Sequence, residues 1–438
     1  LSGLAREIRR WDLVAVAING VIGAGIFGLP SRVFALLGPY SVAAFIACAM
    51  VVGLIVLCFA EVGSRFRATG GPLLYAREAF GSVVGFEVGW LIWLARLTAF
   101  GANCNLLVSY LAYFVPEAAA AGWRELVIVT VVGALTALNI VGVRDATRVG
   151  NFFTIGKLIP IVLFIAVGAW FIQPSNFSGR ADLGYQTFSA SVLLMIYAFT
   201  GFEMAAIPAA EIRDPQRDLP RALLTAIALV AVVYIGIQVV CIGTLPSLAT
   251  STRPVADAAS LFAGRAGGAL ITAGVLVSII GNLNVLILSA SRLIYAMGEG
   301  HDIPRVMAFT HRAYRTPVVA IVTTAAVAMA LTLWSTFGKQ VNLSVIARLT
   351  SYGVTCAALI VLRRRPGAPA AMFRAPAGIA VAIVTMLAIV WLLTNATALD
   401  VRDTAVAAAI GLAIYLGHRL LRRRDLRDAA PQPRRPGD

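Results

Sequence analysis

Charge is what this chain of 438 residues has little of: 13% of its residues are Asp, Glu, Lys or Arg, where a soluble domain carries about 25%. Beside 59% hydrophobic residues, that shortfall excludes a water-soluble fold and implies an all-α polytopic membrane protein. Cysteine is scarce as well. Cys48, Cys58, Cys104, Cys241 and Cys356 lie inside apolar runs without CxxC spacing, which excludes a disulfide framework and a thiolate metal site. The three histidines, His301, His311 and His418, sit near the ends of apolar runs with no acidic or thiol companion at ligand spacing, so neither metal nor cofactor is expected. No nucleophile–base pair and no phosphate-binding loop occurs, and an enzyme is not expected either.

What the chain has is apolar runs long enough to cross a bilayer. They lie at 13–30, 40–62, 82–114, 125–142, 150–172, 188–210, 221–245, 268–298, 317–336, 343–362, 376–395 and 403–421, which predicts twelve transmembrane helices. The basic start of the chain and the run behind it read as a tail and a first span rather than a cleavable leader. A net charge of +15 suggests nucleic acid until its distribution is followed. With both ends on one side, that side holds 25 of the 36 Lys and Arg residues and the other side seven, with four inside spans. This is the asymmetry of membrane topology. It puts both termini in the cytoplasm and the chain in the inner (cytoplasmic) membrane, without a nucleic-acid partner.

The stretch Asn19 to Pro30, NGVIGAGIFGLP, places four glycines and a proline in the first span, although each interior glycine costs a helix about 1 kcal/mol relative to alanine. The sixth span carries YAFTGFEMAA (Tyr197 to Ala206), with Glu203 the one acid near a span centre. The two weak points are five spans apart, and an odd repeat inserts its second copy upside down. Paired interrupted spans point to a secondary-transporter binding site. Backbone left unpaired at membrane depth is tolerated where it lines a cavity or ligand, and the ends of half-helices suit a carboxylate and an ammonium. The competing reading is close helix packing through small residues.

Four pieces together resemble the amino acid–polyamine–organocation (APC) superfamily: GAGIF (Gly23 to Phe27), FTGFE (Phe199 to Glu203), EIRDPQRDLPRAL (Glu211 to Leu223), and SRLIYAMGEGHDIP (Ser291 to Pro304) with TPVVAI after it. The resemblance covers nearly the whole chain. It implies a 5+5 inverted-repeat, LeuT-like fold with two additional C-terminal helices. The divisions are then a tail at 1–12, repeats at 13–172 and 188–362, a helix pair at 376–421, and a disordered basic tail at 422–438. It also implies that the N–H groups of Gly23, Ala24 and Gly25 hold a substrate α-carboxylate. The carbonyls of Val21, Tyr197 and Thr200 would take the α-ammonium, with Phe199 and Gly201 in the sixth-span break and Tyr197 as a lid. Ala24 departs from the Ser or Thr common there. Glu203 would be either a proton acceptor or a brace for the broken sixth span.

Lys157 lies roughly 10 Å into the fifth span. It either snorkels to the headgroups or is a desolvated amine that loads and releases a proton. Proton-linked or ion-independent members of the superfamily place a lysine here where sodium-coupled relatives bind their cation, and the resemblance gives it the first-span carbonyls and Ser289 or Ser291 as neighbours. Arg96 sits near the centre of the third span, where a charge costs at least ~2.5–3.5 kcal/mol. It pairs with Glu203, or lines the site and meets an anionic substrate group, or reaches water or backbone carbonyls. Arg292 and Arg348 are assigned to span ends. The expectation is a proton-coupled symporter or exchanger of neutral or acidic amino acids, monomer or homodimer. A cationic amino acid or polyamine exchanger and a non-transporting amino acid sensor are the alternatives.

Overall fold

The computed structural model describes residues 9–68, 70–142, 146–178, 184–207 and 212–428, with no side chains described for 146–155 and 422–428. The expected tails at 1–8 and 429–438, and the loop residues Arg144, Arg180 and Glu211, lie outside the described residues.

Each run expected to span contains a helix, and the first is two helices: α1 (Arg10–Val21) and α2 (Gly25–Leu37). α1 begins inside the expected tail because the Asp12 carboxylate accepts the Arg9 N–H at 3.0 Å, closing the first turn. There follow α3 (Ser41–Gly63), the short connector α4 (Pro72–Phe80), α5 (Ser82–Leu111), α6 (Trp123–Val141), α7 (Ala146–Gly168) and α8 (Tyr185–Phe199). After a 3₁₀ turn at Phe202–Ala206 come α9 (Pro215–Thr244), α10 (Pro254–Glu299), α11 (Val318–Trp334), α12 (Phe337–Arg364), α13 (Gly378–Leu393) and α14 (Ala398–Asp428). α14 runs past residue 422, where a disordered tail was expected: its last residues are mostly arginine and leucine, both good helix formers.

Among the described residues eight helical stretches are long and apolar enough to cross a membrane. The other runs expected to span fall short of that length. The first span is halved by its break, α2 runs on into α3 through a 3₁₀ turn, and Gly156–Phe171, Val318–Trp334 and Gly378–Leu393 are shorter.

α5 is the central post, packed by α4, α10, α11 and α12, while α3 packs on α8 and α9. The periphery carries bare apolar side chains such as Trp170 and Trp334, both 88% exposed, a surface suited to lipid rather than water. Lipid is as apolar as leucine, so helix association here rests on close packing and polar ties. One tie centres on Glu61 of α3, fully buried, which accepts Arg363 Nε and Nη2 at 2.6 Å each and the Ala375 N–H at 2.9 Å. It joins α3, α12 and the segment leading to α13.

Candidate functional site

The two glycine-rich stretches are both breaks. After Val21 the backbone leaves helical geometry at Ile22 (φ −74°, ψ 85°), and the Gly23 N–H turns back to the Val21 carbonyl at 2.8 Å. After Phe199, Thr200 is extended and Gly201 is left-handed (φ 111°). The breaks cross: a Cβ on Gly20 would lie 2.7 Å from the Gly201 carbonyl oxygen. Glycine at both positions allows that approach and supplies the positive φ.

A cavity of about 20 Å³ lies at the crossing, bounded by residues 23–25, Tyr197, Thr200 and Gly201, by Ala99 and Asn103 of α5, by Asn282 of α10 and by Arg348 of α12. It has room for about one water molecule, so this is a closed conformation. The protein satisfies much of the broken backbone itself. The Ala24 N–H donates to Asn103 Oδ1 at 3.2 Å, and Asn103 Nδ2 donates to the Tyr197 hydroxyl at 3.0 Å. The Tyr234 hydroxyl bridges both breaks, 3.0 Å from the Val21 and Ala198 carbonyls. The Tyr197 carbonyl accepts from Thr200 Oγ1 at 2.8 Å. Four of the six backbone groups assigned to substrate are therefore engaged internally (Gly23 N–H, Ala24 N–H, Val21 C=O, Tyr197 C=O), because an unpaired peptide group in this setting is costly. Gly25 heads α2, where an N–H has no intrahelical acceptor.

Phe199 is not on the cavity. It lies about 200° around the helix from Tyr197, with its ring edge-on to Tyr234 at 5.0 Å. Asn103 and Tyr234 were missed in the sequence, where neither belongs to a motif. The available signal was that a buried amide or phenol needs a partner, and a broken helix offers one.

Lys157 is buried, and its Nζ donates to the Ile22 carbonyl at 2.8 Å and the Asn19 carbonyl at 3.2 Å. Neither expected serine reaches it. Ser289 and Ser291 hydrogen-bond to carbonyls of their own helix, Leu286 and Leu288. The part of α10 that shares a cavity wall with Lys157 carries Gly274 and Val275. Ser278, one turn further, is fully buried with its hydroxyl unpartnered among the described residues, whereas Ser289 is about 16 Å further along.

Glu203 is held by Arg348 and not by Arg96. Its Oε1 accepts Arg348 Nη1 at 2.5 Å, and its Oε2 accepts the Tyr352 hydroxyl at 2.8 Å and the Gly201 N–H at 2.9 Å. The sequence puts Arg348 at a span end; α12 begins at Phe337, ahead of the apolar run at 343–362, so Arg348 sits mid-helix. Arg96 is 1% exposed and none of its guanidinium nitrogens has a hydrogen-bond partner among the described residues. Both the Glu203 bridge and the backbone-carbonyl reading are thereby overturned for it.

The family described as amino acid permease matches residues 8–415. The chain is 29% identical to the serine/threonine exchanger SteT of Bacillus subtilis (strain 168), over 95% of this chain and 97% of that protein. It is 26% identical to the branched-chain amino acid permease BcaP and 26% identical to the methylthioribose transporter of the same organism, each over 94% of this chain and 93% of the relative. A match of this extent, on a helical membrane fold with two crossing breaks, makes the chain a transporter rather than an enzyme: it belongs to the amino acid permease family of the APC superfamily.

Proposed function

We propose that this protein is a secondary active transporter of neutral or acidic amino acids in a bacterial cytoplasmic membrane. It would work by alternating access, as a proton-coupled symporter or exchanger, on a twelve-span framework of two inverted five-helix repeats with both termini cytoplasmic. The observation that carries this reading is the crossing of two interrupted helices at Gly20 and Gly201 beside a small polar cavity. On opening, the N–H groups of Gly23 and Ala24 would exchange their internal partners for a carboxylate that the Gly25 N–H also meets, and the carbonyls of Val21 and Tyr197 theirs for an ammonium that the Thr200 carbonyl also meets. Tyr197 is then a lid, with Asn103 holding it shut. Glu203 acts as a brace, since it accepts the Gly201 N–H that the break leaves free.

Lys157 supplies the coupling. Its ammonium bridges two carbonyls on the first break, so loss of a proton weakens the bond network that fixes the break. A cation already stands at that place, which disfavours sodium coupling. Arg348 in the cavity wall disfavours cationic substrates.

The test is uptake by proteoliposomes of the purified chain under an inside-alkaline gradient, against labelled amino acids, with methylthioribose added because a relative carries it by name. Accumulation of a neutral or acidic amino acid above the no-gradient level is expected. Binding without uptake would favour the sensor, and methylthioribose uptake alone would displace amino acids as substrate.

A further inference from the structure

Two buried arginines, Arg96 and Arg348, lie near one buried carboxylate, Glu203. Arg96 of α5 is the largest fully buried side chain among the described residues, within electrostatic reach of Glu203, Arg348 and Tyr352. Both Glu203 oxygens are already taken by Arg348, Tyr352 and the Gly201 N–H. The Nε, Nη1 and Nη2 of Arg96 and the Nε of Arg348 are left without acceptors among the described residues. The cluster thus carries one positive charge in excess and four unmet guanidinium nitrogens, in a setting where an uncompensated charge is strongly unfavourable.

The cluster adjoins the cavity. Arg348 is in its wall, and so is Ala99, which lies three residues from Arg96 and therefore on the same face of α5. A second observation points the same way. A vestibule of about 570 Å³ has Arg32 and Arg124 in its lining; Arg124 is paired with Glu125 at 2.9 Å, whereas Arg32 has no ion pair among the described residues. Phe337, also in that lining, lies under the Arg32 guanidinium at 4.8 Å and meets the Tyr197 ring edge-on at 6.4 Å. A positive group in a cleft attracts counter-ions, so Arg32 favours an anion at the lid as the buried pair does beneath it.

We infer that Arg96 and Arg348 form a site for one compact monovalent anion, either the side-chain carboxylate of an acidic substrate or chloride. One excess charge calls for one negative charge, and a guanidinium fork suits a carboxylate. The carboxylate source rests on the amino acid transport reading; the chloride source does not.

The full chain, purified in detergent in sodium gluconate, is titrated at constant ionic strength with sodium chloride, L-glutamate or L-serine while its thermal midpoint is followed. A ligand that binds the folded state raises the midpoint with concentration. A rise with chloride identifies the inorganic anion, and a rise with L-glutamate beyond that with L-serine identifies the substrate carboxylate. Either rise is expected to vanish in Arg96→Met, with size-exclusion monodispersity as the folding control. Should that variant not fold, Arg96→Lys keeps the charge without the fork and is expected to weaken apparent affinity about tenfold. No rise with either anion in the unaltered protein, or a rise unchanged in the variant, overturns the site. Failure of the transport reading looks different: no amino acid enters proteoliposomes, whatever chloride does to the midpoint.

Discussion

Lys157 owes its place to a defect in another helix. The carbonyls of Asn19 and Ile22 are open because the first span is interrupted, and a buried ammonium closes them. Replacing it with methionine keeps the bulk and leaves both acceptors bare, at about 1–3 kcal/mol for each unmade bond. Lys157→Met is expected to lower the thermal midpoint. It is also expected to bring proton-driven accumulation in proteoliposomes down to the no-gradient level. A gradient response equal to the parent's would remove the lysine from coupling. Glu203 allows a cleaner comparison. Tyr352→Phe deletes one hydrogen bond to a charged carboxylate, worth about 1.5–3 kcal/mol. Ser289→Ala deletes only a bond within its own helix and should stay within about 0.5 kcal/mol. Urea or thermal unfolding of the two variants side by side measures the difference, and equal effects would deny Glu203 its bracing role.

At the scale of elements, the breaks are what glycine makes possible. Gly201→Ala places a methyl at φ 111° and drives it into the Gly20 carbonyl; a strained backbone of this kind costs about 1–3 kcal/mol before any clash. Substrate uptake should be lost along with stability. Gly53→Ala in α3 is the control, since nothing lies within 4 Å of the added carbon and helix propensity favours alanine by about 1 kcal/mol. That variant should be as active as the parent and no less stable. If Gly201→Ala transported normally, the crossing would not be the site. Both breaks were legible in the sequence because their signal is local: glycines inside an apolar run. The partners were not. Arg348 with Glu203, and Gly274 and Val275 rather than Ser289 beside Lys157, depend on where α12 begins and how α10 is rotated. An apolar run surrounded by apolar neighbours does not fix its own rotation. Tyr234, bridging both breaks from α9, was illegible for the same reason.

At the scale of the whole molecule, the two cavities describe one conformation. A vestibule of about 570 Å³ leads by way of Phe337 and Tyr197 to a site of about 20 Å³, so the path is wide on one side and shut at the lid. Which side that is follows from the basic loops. If the arginine-rich face is cytoplasmic, the vestibule, lined by residues from the far end of α5, opens outward. All five native cysteines are buried, so a single introduced thiol reports alone. Ser109→Cys in the vestibule lining is expected to react with a membrane-impermeant maleimide added to intact spheroplasts, and substrate that draws the lid inward should change its rate. Arg67→Cys, exposed on the basic face, should stay unlabelled until the membrane is permeabilised. The reverse pattern would invert the topology and make the vestibule an exit on the cytoplasmic side, and with it the side from which Arg32 attracts an anion.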